Sequence, residues 1–274
     1  MKYEKRIVFF IDLLGFKNLI NKTKNADGSD NETEIQKIVN AYNSIRDVWD
    51  LDSDKDDKKN LFVTKNSKEI TIFSDSIVIS FLAKEESEIF YTLLEVKWMI
   101  MRLINRNILS RGAVSFGNLI HNDKFVFGPA LVEAYTLESK AAIYPRIILD
   151  RDIIDLARKA KQSRHSEEQE VEFIESLLEK DLDGMYYIDY FTKAQSELDA
   201  PEYDFPDYIQ TLEKITKDGL RIDKIDVRAK YIWMKEKYNR MVENIIRNKS
   251  SWEPKLKEVD ESLCDFYKSL KKIN

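Results

Sequence analysis

Two carboxylates stand where buried strands end. Asp12 closes the apolar run Ile7-Val8-Phe9-Phe10-Ile11, and Asp75 sits in Ser74-Asp75-Ser76 between two further strand-like runs. If those strands are neighbours, the carboxylates come within a few ångströms and repel unless a cation neutralises them. Oxygen ligands of this kind select Mg²⁺ or Mn²⁺. A two-metal site of that type can activate an attacking hydroxyl and hold charge on a transferring phosphorus. The backbone amides of Leu13, Leu14, Gly15 and Phe16, turning into a helix, offer donors to a triphosphate, and Gly15 allows close approach. Taken singly, Asp12 is equally a helix cap and Asp75 an ordinary hairpin turn. Their joint placement at the ends of successive buried strands favours the metal. Arg111, inside a strand, is open between a sheet-edge salt bridge and a phosphate contact.

The elements that must position these groups follow from periodicity. Ile35, Ile38, Val39, Tyr42, Ile45 and Val48 repeat at helical spacing, between polar loops at 22–33 and 50–60. Glu69–Phe73 and Ile77–Leu82 form a hairpin with an acidic tip. Glu85–Asn105 is a helix with Ile89, Leu93, Val96, Ile100 and Leu103 on one face, and Ile108–Ile120 is a strand. Asn122-Asp123 makes a polar turn that places His121 at the surface; Lys124–Phe127 is a short strand in which Phe125 alternates like a core residue. Gly128-Pro129 opens a helix to about Ala142, and Pro145–Leu149 is a strand. This order predicts an α+β, ferredoxin-like palm core over 1–150. Residues 151–274 read as a mainly helical extension packed on the core, with Tyr186–Phe191 as a strand that joins it. Within the extension, Tyr231, Met234, Tyr238, Met241 and Ile245 form one packing stripe, and the lysines and arginines from Arg221 to Lys237 form a solvated face.

Bulk composition excludes several classes of function. With 43% hydrophobic and 34% charged residues the 274-residue chain reads as soluble and globular, with no apolar run long enough to span a bilayer. A net charge of −5 gives no basic footprint for nucleic acid. One cysteine and two histidines leave little for a disulfide, a zinc site or a Ser-His-Asp triad, and a reducing cytoplasm is the simplest home.

Several ordered motifs carry a family resemblance over roughly residues 6–150. Ile11-Asp12-Leu13-Leu14-Gly15-Phe16, Phe73-Ser74-Asp75-Ser76, Arg111-Gly112-Ala113-Val114-Ser115-Phe116-Gly117 and Gly128 through Leu137-Glu138 together resemble class III nucleotide cyclases. The resemblance implies Asp12 and Asp75 as metal ligands, nucleoside triphosphate as substrate and a site formed between two protomers of a homodimer. The sequence departs from that family: Val132 and Thr136 stand where it has a transition-state Asn and Arg, and Thr71 and Phe125 where adenylate cyclases read the purine. Thr71 and Phe125 are therefore candidates to line the base pocket, while Arg111, Lys140 or Arg146 would supply the missing cation. Of these, Lys140 and Arg146 are expected to be solvated. The combination looks most like the pyrimidine (uridylate or cytidylate) cyclases of Pycsar anti-phage systems. That group is implied to make cyclic UMP or cyclic CMP as a messenger for a separate effector protein. A palm oligonucleotide synthetase and a catalytically inactive palm used as a binding module are the alternatives.

Overall fold

A computed structural model describes residues 2–49, 67–159 and 166–274. The 50–60 loop therefore lies outside the described residues. The apolar run beginning at Ile7 forms the central strand β1 (Glu4–Leu14), which starts three residues before that run and continues two residues past Asp12. Leu13 and Leu14 continue the strand because they still pair with Ser110 and Leu109 of β4 (Leu109–His121). The acidic-tipped hairpin is present as β2 (Glu69–Phe73) and β3 (Ser76–Leu82). Both β3 and β4 run antiparallel to β1.

The sheet order is β2-β3-β1-β4, continued by β6 (Ile147–Leu149), β8 (Tyr186–Ile188) and β7 (Leu178–Lys180), with β5 (Val126–Phe127) pairing β4 off that path. Helices α1 (Phe16–Lys22) and α2 (Glu32–Val48) connect β1 to β2, and α3 (Glu88–Ile104) connects β3 to β4. This is the connectivity and strand order of a ferredoxin-like α+β palm, as the sequence pattern predicts. The parallel β4·β6 pair is crossed over by α4 (Pro129–Lys140).

Alternation along the strands divides the sheet into two unlike faces. Ile7, Phe9, Ile11, Ile77, Ile79 and Phe81 turn to one face and are wholly buried. Helix α3 buries the five apolar positions expected of it. The other face carries Val8 and Val78, which pack with Leu119 and with Ala130 and Ala134 of α4. Two small residues let β4 fit. A Cβ on Gly112 would meet the Phe10 carbonyl oxygen at 2.6 Å, and one on Gly117 would press on Ala130 at 3.3 Å.

The chain separates into two compact units, Met1–Ile188 and Asp189–Asn274. The first also holds α5 (Arg151–Ala157) and α6 (Glu167–Leu177). Its added strand β8 is the first half of the strand expected at 186–191. The second unit is helical, with α7 (Pro201–Leu220), α8 (Ile225–Arg247), α9 (Lys249–Val259) and α10 (Glu261–Ser269). Met234, Tyr238 and Met241 form the buried stripe of α8. Lys237 departs from the expected solvated face: it is buried, with its ammonium 5.4 Å from the Trp233 ring centroid. No described helix is long and apolar enough to cross a membrane.

Candidate active site

Register places the two aspartates together. Asp12 pairs with Ser76 on β3 and with Arg111 on β4, so it lies one residue from Asp75 across the sheet. The turn carrying Asp75 is anchored at both sides. The Leu13 amide donates to the Asp75 carbonyl at 2.8 Å, and the Tyr42 hydroxyl of α2 donates to the Ser74 carbonyl at 2.5 Å. Ser74 itself adopts a left-handed φ of 52°, which tightens the two-residue tip. Gly15, at φ 78°, breaks the chain out of β1 and into α1.

Arg111 Nε lies 3.5 Å from Asp12 Oδ2 and 2.5 Å from Glu138 Oε1, the latter contact lacking hydrogen-bond alignment. β4 lies between β1 and β6, so Arg111 is not at a sheet edge. Glu138 comes from α4 and is almost fully buried. Two carboxylates thus share one guanidinium, and the Asp75 charge acts on Asp12 as a third. Burial first, then Glu138 and Asp75, push the Asp12 carboxyl up to about 6, against the opposing pull of Arg111. Uncompensated negative charge of this kind fits a divalent cation. Among the described residues no group of three or more His, Cys, Asp or Glu is placed to hold a metal. The donor set is a pair of carboxylates, which suits Mg²⁺ or Mn²⁺ completed by water and substrate phosphates. Sequence reasoning did not assign Glu138 a role, although the Leu137-Glu138 spacing was its signal.

The other candidates fall in different surroundings. The Leu13 amide is already spent on Asp75, which removes it from the proposed triphosphate cradle. Thr71, on β2, lies on the Asp12 face of the sheet, and its hydroxyl is 2.9 Å from His121 Nε2. His121 is buried rather than at the surface, because β4 extends through it and Ser80 holds its other ring nitrogen at 2.8 Å. Burial, then the Arg6 charge, lower its pKa to about 4. Phe125 is exposed, not core, because it lies in the turn before β5 with its amide bonded to the Asn122 side chain. Lys140, in the last turn of α4, is exposed. Arg146 is the opposite of solvated: it is 1% exposed and ion-paired to Asp181 at 2.5 Å and to Asp183. Those acids fix it as a structural cation.

No protein-family model and no curated protein matches the chain. Solved structures similar to it include the adenylyl cyclase CyaB from P. aeruginosa, at 14% identity and a TM-score of 0.43, covering 69% of this chain and 95% of that one. The catalytic core of a rhodopsin-guanylyl cyclase with converted specificity, in complex with ATPαS, aligns at 12% identity and 0.40, covering 69% and 97%. A class III adenylyl cyclase-like ATP-binding protein from Pseudomonas aeruginosa aligns at 10% and 0.37, covering 78% and 60%.

Proposed function

We propose that the chain is a nucleotide cyclase that converts a pyrimidine nucleoside triphosphate, UTP or CTP, to its 3′,5′-cyclic monophosphate and pyrophosphate. The observation that carries this reading is the convergence of Asp12 and Asp75 at the end of β1 and the tip of the β2–β3 hairpin, in a net acidic cluster. Asp12 and Asp75 would hold Mg²⁺ or Mn²⁺, and the ions would supply Lewis-acid stabilisation of charge on the phosphates. The remaining demand on the protein is positioning, since the reaction is an intramolecular attack of the ribose 3′-OH on the α-phosphorus. Tyr42, through Ser74, and the Leu13 amide fix the Asp75 tip. Arg111, 25% exposed, is the cation that can reach a triphosphate lying over the cluster. The backbone of Leu14, Gly15 and Phe16 stays a candidate phosphate contact, and Lys140 a peripheral one.

The finer parts of the reading are proposals of the same kind. The sequence motifs support a place among anti-phage pyrimidine cyclases, with the cyclic nucleotide passed to a separate effector. Exposed apolar side chains at Phe73, Phe127, Val132 and Tyr135 support association with a second copy of the chain. The unit boundary at Ile188 supports a catalytic palm that extends beyond Asp150, followed by a helical unit.

One observation favours a second reading, a nucleotide-binding module without turnover. Val132 is 64% exposed, and the Thr136 hydroxyl donates back to the Val132 carbonyl at 2.7 Å. Neither offers the contacts of an Asn and an Arg to a transition state. Incubation with each of the four ribonucleoside triphosphates and Mn²⁺, read by mass spectrometry beside Asp75→Ala, separates the two. A cyclic monophosphate lost in the variant establishes the cyclase. Nucleotide-dependent thermal stabilisation without product establishes the module, and oligonucleotide products overturn both.

A further inference from the structure

A chain of polar side chains crosses the sheet face that carries Asp12. Arg6 Nε donates to Ser80 Oγ at 2.9 Å, Ser80 Oγ is 2.8 Å from His121 Nδ1, and His121 Nε2 is 2.9 Å from Thr71 Oγ1. The first three residues are buried, whereas Thr71 is half-buried at the accessible end.

The direction of each bond can be worked out from the buried end. A guanidinium only donates, so Ser80 Oγ accepts from Arg6. Ser80 has no exposed surface, so its own hydrogen needs an internal acceptor. Of its two side-chain partners only His121 Nδ1 can accept. His121 is neutral near pH 7, because burial and the Arg6 charge lower its pKa. A neutral imidazole that accepts at Nδ1 carries its proton on Nε2, and therefore donates to Thr71 Oγ1. The Thr71 hydrogen is the one left over, and among the described residues no protein acceptor takes it.

Two exposed rings lie on the segments that carry Thr71 and His121. Phe73 lies two residues along β2 on the same face, and Phe125 lies in the turn that follows His121. Exposed aromatic faces beside a fixed donor suit a nucleobase, which can stack on a ring and be read at its edge.

We infer that the Thr71 hydroxyl, whose hydrogen the Arg6–Ser80–His121 chain leaves without a protein acceptor, donates to the nucleobase and so favours a base edge presenting a carbonyl oxygen over one presenting an amino group. At position 4, where the two pyrimidines differ, uracil offers O4 as an acceptor and cytosine an N4 amino group, so uracil is favoured. The inference rests on the nucleotide reading for the class of ligand, and on the hydrogen-bond chain for its selectivity.

The test uses the full chain with Mn²⁺ and two nucleotides that cannot cyclise, 3′-deoxy-UTP and 3′-deoxy-CTP, with binding measured by calorimetry. The uridine compound is expected to bind at least about 10-fold more tightly, since a site built to donate loses affinity for an edge that cannot accept. Thr71→Val removes the hydroxyl at nearly constant volume and should abolish the ratio. Thr71→Ser should restore it. Ser80→Ala, which frees the His121 tautomer, should weaken the ratio without touching the ligand. Equal binding, a cytidine preference, no binding of either compound, or a ratio unchanged in Thr71→Val overturns the inference. Turnover assays run beside it keep the two proposals apart. Carbonyl-selective binding with no cyclic product defeats the cyclase reading alone, and cyclic products without base preference defeat this inference alone.

Discussion

Glu138 Oε1 and Arg111 Nε meet at 2.5 Å, and after burial these two charges act most strongly on the Asp12 carboxyl, in opposite directions. Arg111 is shared between Glu138 and Asp12, so neither acid has a full counter-charge. Glu138→Gln removes one negative charge and releases Arg111 to pair with Asp12. The cluster then attracts a divalent cation less. Mn²⁺ affinity, measured by calorimetry on the free protein, should fall by roughly 10-fold, the scale of one lost charge interaction near a protein surface. An unchanged affinity would place the cation away from this cluster.

Asp12→Asn should make the metal-free protein more stable. The folded-state pKa of Asp12 is raised from 3.8 to about 6. A group raised in this way contributes stability that is fully present below the unfolded pKa and is lost as pH rises through the folded one. The variant's advantage should therefore be absent at pH 4 and grow between pH 4 and 7. It should reach about 1 kcal/mol once solvent screening of this partly exposed group is allowed for. Thermal melts across that pH range in a chelator check this. Mn²⁺ should reverse the order, stabilising the native chain and not the variant. A constant difference at all pH values would show that Asp12 is not under this repulsion.

Gly112→Ala should uncouple the site from the fold. The added Cβ would meet the Phe10 carbonyl oxygen at 2.6 Å and Ile11 Cα at 3.2 Å, both backbone atoms of β1 that no rotamer can move. β1 and β4 must separate next to the Asp12–Arg111 pair. A loss of about 1–3 kcal/mol in denaturant unfolding is expected, the range for steric strain in a packed core. Gly117→Ala is the milder control, since there the neighbour is the Ala130 side chain at 3.3 Å.

Much of this arrangement was legible in the sequence, and the parts that were not share a cause. The strand ending near Asp12, the hairpin bearing Asp75 and the α3 face could be read because hydrophobic period reports which way a side chain points. Period is silent about polar residues that are buried by pairing. His121 stands in a polar stretch yet is buried and hydrogen-bonded to Ser80 and Thr71, and Lys237 sits in a basic run yet lies against Trp233. The spacing of Leu137-Glu138 marks Glu138 in the sequence, but only the approach of α4 to β4 shows what it touches. Phe125 erred the other way, since alternation over a two-residue strand cannot separate core from turn.

Arg146 is the case in which position and role come apart. The sequence places it among cations that could serve a phosphate, but the structure buries it against Asp181 and Asp183, with its guanidinium 5.2 Å from the Tyr144 ring centroid. Its backbone carbonyl also accepts from Gly112 at 3.0 Å, within the β4–β6 connection. Removing one partner of such a pair strands the opposite charge. Arg146→Ala should therefore cost about 3–5 kcal/mol in unfolding free energy. Arg146→Ala combined with Asp181→Asn and Asp183→Asn should recover part of that loss, because no unpaired acid is then left inside. Arg111→Ala should behave in the reverse manner, with a smaller effect on stability and a loss of nucleotide turnover of at least about 100-fold, the scale for a charge that meets the developing phosphate charge directly. Unfolding curves and initial rates measured on the same preparations decide it. If folded Arg146→Ala lost turnover as severely as Arg111→Ala, the buried cation would have to be brought back into the site.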